Sequence, residues 1–286
     1  MDAVSFLIDE TTVRVNGSGM YINAIDSSHV AMLFARFPKE MFVEYQSTGE
    51  DIDIGISVAD FLKILKRAKA ADGIELSSGG AKGDKGGARD LIVRMISDRT
   101  KRTFTLKGKA PTHDDNVNID TFSASLDPKF TASFSIESGM LDEIVKDAII
   151  MSDLIDVFMS PEKGLKFSAE DDSGSGELEI DIDANGGEWE SAVTGESAGK
   201  YSLAFLENIA KISSVAERFV ISIGSNIPMK LRCDASADGS AGASITYFLA
   251  PRVDDDQDDD IDGESGSEEL DELDEEAGQP AGEDEE

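Results

Sequence analysis

The chain has 286 residues, 40% of them hydrophobic, with one cysteine, two histidines and a formal net charge of −33. A lone Cys233 excludes an internal disulfide framework and fits a reducing compartment, and so few soft ligands make a zinc site untenable. No apolar run is long enough to span a membrane and the N-terminus carries no secretory pattern, so the length reads as two domains of about 120 residues plus a tail.

In chain order, residues 1–10 read as the end of a helix, with Val4, Phe6, Leu7 and Ile8 apolar. Thr11 to Val15, Gly19 to Ile25 and His29 to Phe37 follow as strands joined by tight polar turns, and Asp51 to Ile56 as another. Ser57 is a suitable N-cap for a helix over roughly Val58 to Ala71. Its helical spacing puts Phe61, Leu65 and Ala68 on one stripe and Lys63, Lys66 and Arg67 on the other face. No acidic residue falls between Leu62 and Ala71, in a chain with 59 Asp and Glu against 26 Lys and Arg. A basic face on so acidic a protein points to a polyanion, although for one helix alone a solvated face is the simpler reading.

Gly73 to Leu76 and Leu91 to Ser97 read as strands around a glycine-rich hairpin loop, Gly79 to Gly87, which lacks P-loop spacing and opens no helix. Arg102 to Lys107 alternates Phe104 and Leu106 with polar residues, as suits an edge strand or one that pairs between molecules. Gly108 to Pro128 has isolated apolar residues among polar ones and reads as a connector, long enough to be functional. The second half opens with strand Thr131 to Ile136 and helix Ser138 to Ser152, then strands near Leu154 to Met159, Leu165 to Ala169 and Glu177 to Ile182. A helix from about Leu203 to Ser213 and strands Phe219 to Ile223, Met229 to Cys233 and Ala243 to Leu249 close it.

Shifted by 145 residues, the chain matches itself: Gly19–Asp26 falls on Gly164–Asp171, Leu65 on Ala210 and Lys66 on Lys211. A repeat this long indicates two copies of one domain rather than a solenoid. Strand Thr131 to Ile136 and half of the helix after it have no counterpart in the first half. A real deletion or a start codon assigned downstream of the true one would explain this, the second being favoured because losing an opening strand leaves an unpaired sheet edge. Residues 254–286 hold 19 Asp or Glu and no Lys or Arg, and are expected to be a disordered acidic tail. Asp26, Ser27, Ser28 and His29 do not make a catalytic triad, because neighbours on one turn rarely do and no oxyanion-hole motif accompanies them. Asp171-Asp172 lacks calcium-loop spacing. Trp189 reads as a packing or surface residue and Cys233 as a buried one. No catalytic residue, metal site or cofactor is expected.

Asp26-Ser27-Ser28-His29-Val30, Leu62-Lys63-Ile64-Leu65-Lys66-Arg67-Ala68 and the closing Leu249-Ala250-Pro251-Arg252 stand in the expected order for a known family. Residues 1 to about 253 thereby resemble the DNA sliding clamp of archaea and eukaryotes, proliferating cell nuclear antigen, with wording of archaeal style. The resemblance implies an α+β fold of two tandem clamp domains, antiparallel sheets outside and helices inside, closed as a homotrimeric ring. It sets a first domain at 1–108, a connecting loop at 109–128, a second domain at 129–253 and the tail at 254–286. Lys63, Lys66, Arg67, Lys146 and Lys211 would then line a hole for duplex DNA, in a lining thinner than the family norm, with Ser5 and Glu143 at positions where basic residues often occur. Arg102, Phe104 and Leu106 of one chain would pair with the strand holding Leu178 and Ile180 of the next.

Ile25, His29, Val30, Met32, Phe248, Leu249, Ala250 and Pro251 would form an apolar pocket, with the connector residues Phe122 and Leu126 as its flexible wall. DNA polymerase, clamp loader, flap endonuclease and DNA ligase would dock there through short peptides ending in paired aromatics. By resemblance the protein is not an enzyme and works in replication and repair, in the cytoplasm at the nucleoid if archaeal and in the nucleus if eukaryotic. Two alternatives stand beside this: one subunit of a heterotrimeric clamp, and an acidic-tailed chaperone for basic nucleic-acid-binding proteins.

Overall fold

The computed structural model describes residues 1–79, 88–111, 119–162, 164–172, 174–180, 192–214, 216–235 and 242–252. Trp189, most of the glycine-rich loop and the acidic tail lie outside them. The first half runs α1 (Asp2–Ser5), β1 (Glu10–Asn16), β2 (Gly19–Ile25), β3 (Ala31–Pro38), β4 (Ile52–Ser57), α2 (Val58–Leu65), β5 (Gly73–Gly79), β6 (Asp90–Ile96) and β7 (Lys101–Leu106). Helix α3 (Ile119–Leu126) lies between the halves. The second half runs β8 (Ala132–Glu137), α4 (Ser138–Met151), β9 (Leu154–Ser160), β10 (Gly164–Asp171), β11 (Gly174–Ile180), β12 (Ala192–Val193), β13 (Ser197–Ser202), α5 (Leu203–Ala210), β14 (Arg218–Ile223), β15 (Met229–Ala235) and β16 (Ala243–Leu249).

The sequence repeat reappears as strand order. One block reads β3-β2-β1-β4 in the first half and β11-β10-β9-β13 in the second; the other reads β5-β6-β7 and β14-β15-β16. Strand β8 pairs with β14, whereas the equivalent edge of β5 carries no strand among the described residues. Its consequence is measurable: Ile74 on β5 is 47% exposed, while Phe219, one repeat away on β14, is 0% exposed. Helix α1 is likewise a four-residue fragment against the fourteen residues of α4.

Alternation explains which faces are buried. Val13, Ile22, Leu33 and Ile54 in the first half, and Phe134, Val157, Phe167 and Leu231 in the second, point to the helix side of their sheets and form the main core. Val58 and Phe61 of α2, and Leu141, Ile144, Val145 and Ala148 of α4, complete it from above. The two halves join edge to edge. Strand β16 pairs antiparallel with β3 from Ser244 opposite Arg36 to Leu249 opposite Ala31, giving one nine-stranded sheet across the chain.

Helix α2 starts as expected, with the Ser57 hydroxyl accepting the Asp60 N–H at 3.4 Å, but stops at Leu65 rather than near Ala71. The reason is tertiary. Arg102 donates to the carbonyl of Arg67 (3.1 Å) and pairs with Asp72, whose carboxylate also accepts the Lys69 N–H at 3.1 Å. Those bonds commit the segment to a turn against β7. The third strand also begins later than expected, at Ala31, because His29 is in the left-handed region at φ 56° and closes a turn. We expect Phe61→Ala to cost about 3–4 kcal/mol in urea-induced unfolding, since it empties a buried site beneath α2.

Candidate functional site

Four of the five cationic side chains singled out from sequence already face carboxylates. Lys63 pairs with Asp60 (3.1 Å), Lys66 with Asp2 (3.0 Å), Lys146 with Asp142 (2.6 Å) and Lys211 with Glu207 (3.1 Å). Three of these pairs are i,i+3 or i,i+4 neighbours on one helix, so the acidic partners were readable in the sequence. The hydrogen bond and charge of Asp142 push the Lys146 amine up from its ordinary value. Lys211 also sits 5.8 Å from the ring of Phe6, tying the second-half helix α5 to the segment after α1. Arg67 lies beyond the end of α2. Exposed pairs of this kind contribute little to stability, so a phosphate can replace the carboxylate at small cost. The surface is therefore weakly attractive to a polyanion rather than strongly basic.

Both predicted junction strands are sheet edges. Among the described residues, β7 closes the three-stranded sheet with no strand on its outer side, and β11 closes the four-stranded sheet in the same way. Leu178, on β11, is 42% exposed. Ile180 lies at the end of the same strand, in register with Leu165 of β10. Phe104 and Leu106 are half-buried against the main core. The Arg102 guanidinium, on β7, pairs with Asp72 and donates to the Arg67 carbonyl of its own chain.

The expected pocket divides in two, because adjacent strand residues point to opposite faces. Met32 and Phe248 lie side by side on the outer face and, with Phe34, Ile119, Phe122, Leu126, Phe130 and Ile227, form a second apolar cluster. Leu249 does not belong to it; at 0% exposure it points into the main core, and Val30 packs there too. Ile25 pairs with Met32 across β2 and β3, and Ala250 donates its N–H to Val30 (2.8 Å), which places Pro251 at the same end of the sheet. His29 is exposed on its turn. Phe34, Phe130, Ile227 and Lys230 were missed from sequence, although Phe34 stands two residues from Met32 on the same face.

The connector residues Phe122 and Leu126 belong to the same cluster. Residues 119–126 form α3, and its apolar side lies on the sheet: the rings of Phe122 and Phe248 meet edge to face with centroids 4.9 Å apart, and those of Phe34 and Phe248 at 6.0 Å. Lys230 holds the other side, reaching the Ser123 hydroxyl and the Asp127 carboxylate, each at 2.8 Å.

The scan against family models finds Proliferating cell nuclear antigen, N-terminal domain, over residues 1–108 and Proliferating cell nuclear antigen, C-terminal domain, over residues 126–252. The chain belongs to the proliferating cell nuclear antigen family. Among curated relatives of this family, the DNA polymerase sliding clamp of Methanococcus vannielii is 27% identical over 260 residues, covering 88% of this chain and 94% of the relative. DNA polymerase sliding clamp 1 of Pyrobaculum aerophilum is 30% identical over 258 residues, covering 88% and 93%. Among solved structures, PCNA from Thermococcus kodakaraensis superposes with a TM-score of 0.70 at 25% identity, covering 88% of this chain and 94% of that one. A PCNA2–PCNA3 complex from Sulfolobus tokodaii gives the same TM-score and identity over 87% and 93%.

The turn that leads into β3, at the rim of the pocket, is held by Asp26. Its carboxylate accepts the N–H of Ala31 (2.6 Å), the N–H of Ser28 (2.9 Å) and the Ser28 hydroxyl. That hydroxyl is engaged with the carboxylate itself, so Asp26 and Ser28 together hold the turn. Burial alone would raise the Asp26 carboxyl, but the hydrogen bonds from Ala31, Ser28 and Val30 outweigh it and hold it below its ordinary value of 3.8. A depressed value means the stabilisation is fully present above the unfolded value and lost as pH falls through the folded one. Asp26→Ala should cost about 2–3 kcal/mol at neutral pH in urea unfolding. The gap from the parent chain should close as pH drops below 3.8.

Proposed function

We propose that this chain is a DNA sliding clamp: three copies close into a ring around duplex DNA and hold DNA polymerase and other replication enzymes on it. The observation that carries the proposal is that the junction inside the chain has two free equivalents. By the repeat, β7 corresponds to β16 and β11 to β3. The strands joined within one chain are thus matched by two open edges, and pairing β7 of one copy with β11 of the next repeats the β16–β3 contact head to tail. A heterologous contact of this kind forms a ring when its rotation closes.

The internal junction also specifies a register. Leu33 faces Tyr247 and Ala35 faces Ile245. Carried through the repeat, Leu33 becomes Gly176 and Tyr247 becomes Phe104, while Ala35 becomes Leu178 and Ile245 becomes Arg102. Phe104 of one copy then stands opposite a glycine of the next, and Thr103 opposite Glu177.

In this ring the helices carrying Lys63 and Lys146, with Lys66 and Arg67 just past α2 and Lys211 just past α5, face the hole. Contacts go to phosphates only and carry no sequence information, which permits sliding. With four of the five cations shared with carboxylates, linkage around the duplex and not affinity keeps the ring in place. The outer cluster around Met32 and Phe248 takes short aromatic-ended segments from DNA polymerase, clamp loader, flap endonuclease and DNA ligase. No step of this function requires a cofactor or bond-breaking chemistry.

The paired variant Thr103→Cys with Glu177→Cys tests register and function together, since facing strand residues lie within disulfide reach. Oxidation should give a denaturant-resistant band of three chains. Oxidised on a nicked circular plasmid, the ring should survive a high-salt wash and be released when the plasmid is linearised. Absence of the cross-link, or retention indifferent to linearisation, would contradict the proposal.

A further inference from the structure

We propose that α3 is an intramolecular occupant of the partner pocket, and that an aromatic partner segment binds by lifting it away. The inference rests on the reading of the outer cluster as the partner site. Among the described residues, the ground that such a segment would cover is already covered. Phe122 sits edge-on against Phe248 at 4.9 Å, and Leu126 is buried between the helix and the sheet. An aromatic side chain from a partner and the ring of Phe122 would compete for the same face of Phe248.

The occupant is built to be removable. Helix α3 has eight residues, too few to hold a helix in water without packing, so its order depends on the dock. Its apolar contacts belong to a small cluster of their own on the outer face, separate from the main core. Removing it therefore leaves the nine-stranded sheet and both helix layers intact. On its polar side Lys230 holds Ser123 and Asp127 and also lies 6.0 Å from the ring of Phe130. Lys230 would be freed by the exchange. A partner that adds a carboxylate beside its aromatic residues regains that contact, which gives the pocket a preference for acidic, aromatic-ended segments.

The test is calorimetric titration with a synthetic peptide that carries an aliphatic residue one helical turn before two adjacent aromatics. Phe122→Ala and, more weakly, Asp127→Ala should tighten binding, the former by about tenfold, because less of the free protein is held in the occupied state. Phe248→Ala should abolish binding in a protein whose circular dichroism is unchanged. Amide hydrogen exchange on the parent chain is independent of any variant, and residues 119–126 should exchange faster when peptide saturates the site. Weaker binding by Phe122→Ala, or slower exchange over 119–126, would overturn the inference and make α3 a wall that closes over the peptide. Binding lost in Phe248→Ala but unchanged in Phe122→Ala and Asp127→Ala would overturn it while leaving the pocket reading intact. Binding unchanged in Phe248→Ala would overturn the pocket reading itself.

Discussion

The antiparallel pairing of β16 with β3 is the constraint on which the rest of the molecule depends. It is made by backbone groups, so it needs a register and two unobstructed edges but little from side-chain identity. It turns two similar half-chains into one nine-stranded sheet and brings the closing Ala250 and Pro251 beside Val30. It also sets Phe248 next to Met32 and Phe34, so the outer apolar cluster exists because the two halves meet there. The same joint, left unmade at β7 and β11, supplies the ends by which copies of the chain can meet.

Charge follows a different logic. Lys63, Lys146 and Lys211 stand on or just past helices, with Asp60, Asp142 and Glu207 one turn away from them. Such pairs are screened and cheap to exchange, which is what the proposed DNA-facing role asks of a surface that passes along phosphates without gripping them. A strongly basic lining would raise affinity and slow sliding, whereas a neutral one would leave closure of the ring to retain the DNA. The arrangement lies toward the second of these.

Much of the fold was legible because it rests on periodicity. Alternation marked the strands, the 145-residue repeat marked the duplication, and Ser57 marked the start of α2. Where reading failed, a tertiary contact outweighed a local signal. The Arg102–Asp72 pair ends α2 a turn early, in a segment whose composition is otherwise helical. The connector read as a linker with isolated apolar residues; only the sheet beneath reveals that Ile119, Phe122 and Leu126 share one side of a short helix. Phe248 and Leu249 were grouped by resemblance, yet as neighbours on a strand they point to opposite faces. That β8 has no counterpart beside β5 among the described residues was legible from the repeat alone, and Ile74 there is 47% exposed.

The account stands or falls on whether the two open edges find each other in solution. The direct measurement is the mass of the unmodified chain by light scattering, followed over a dilution series. A mass near three chains of 30.6 kDa, persisting on dilution, is what the account predicts. A single-chain mass at every concentration would contradict it, because β7 and β11 would then be edges that pair with nothing.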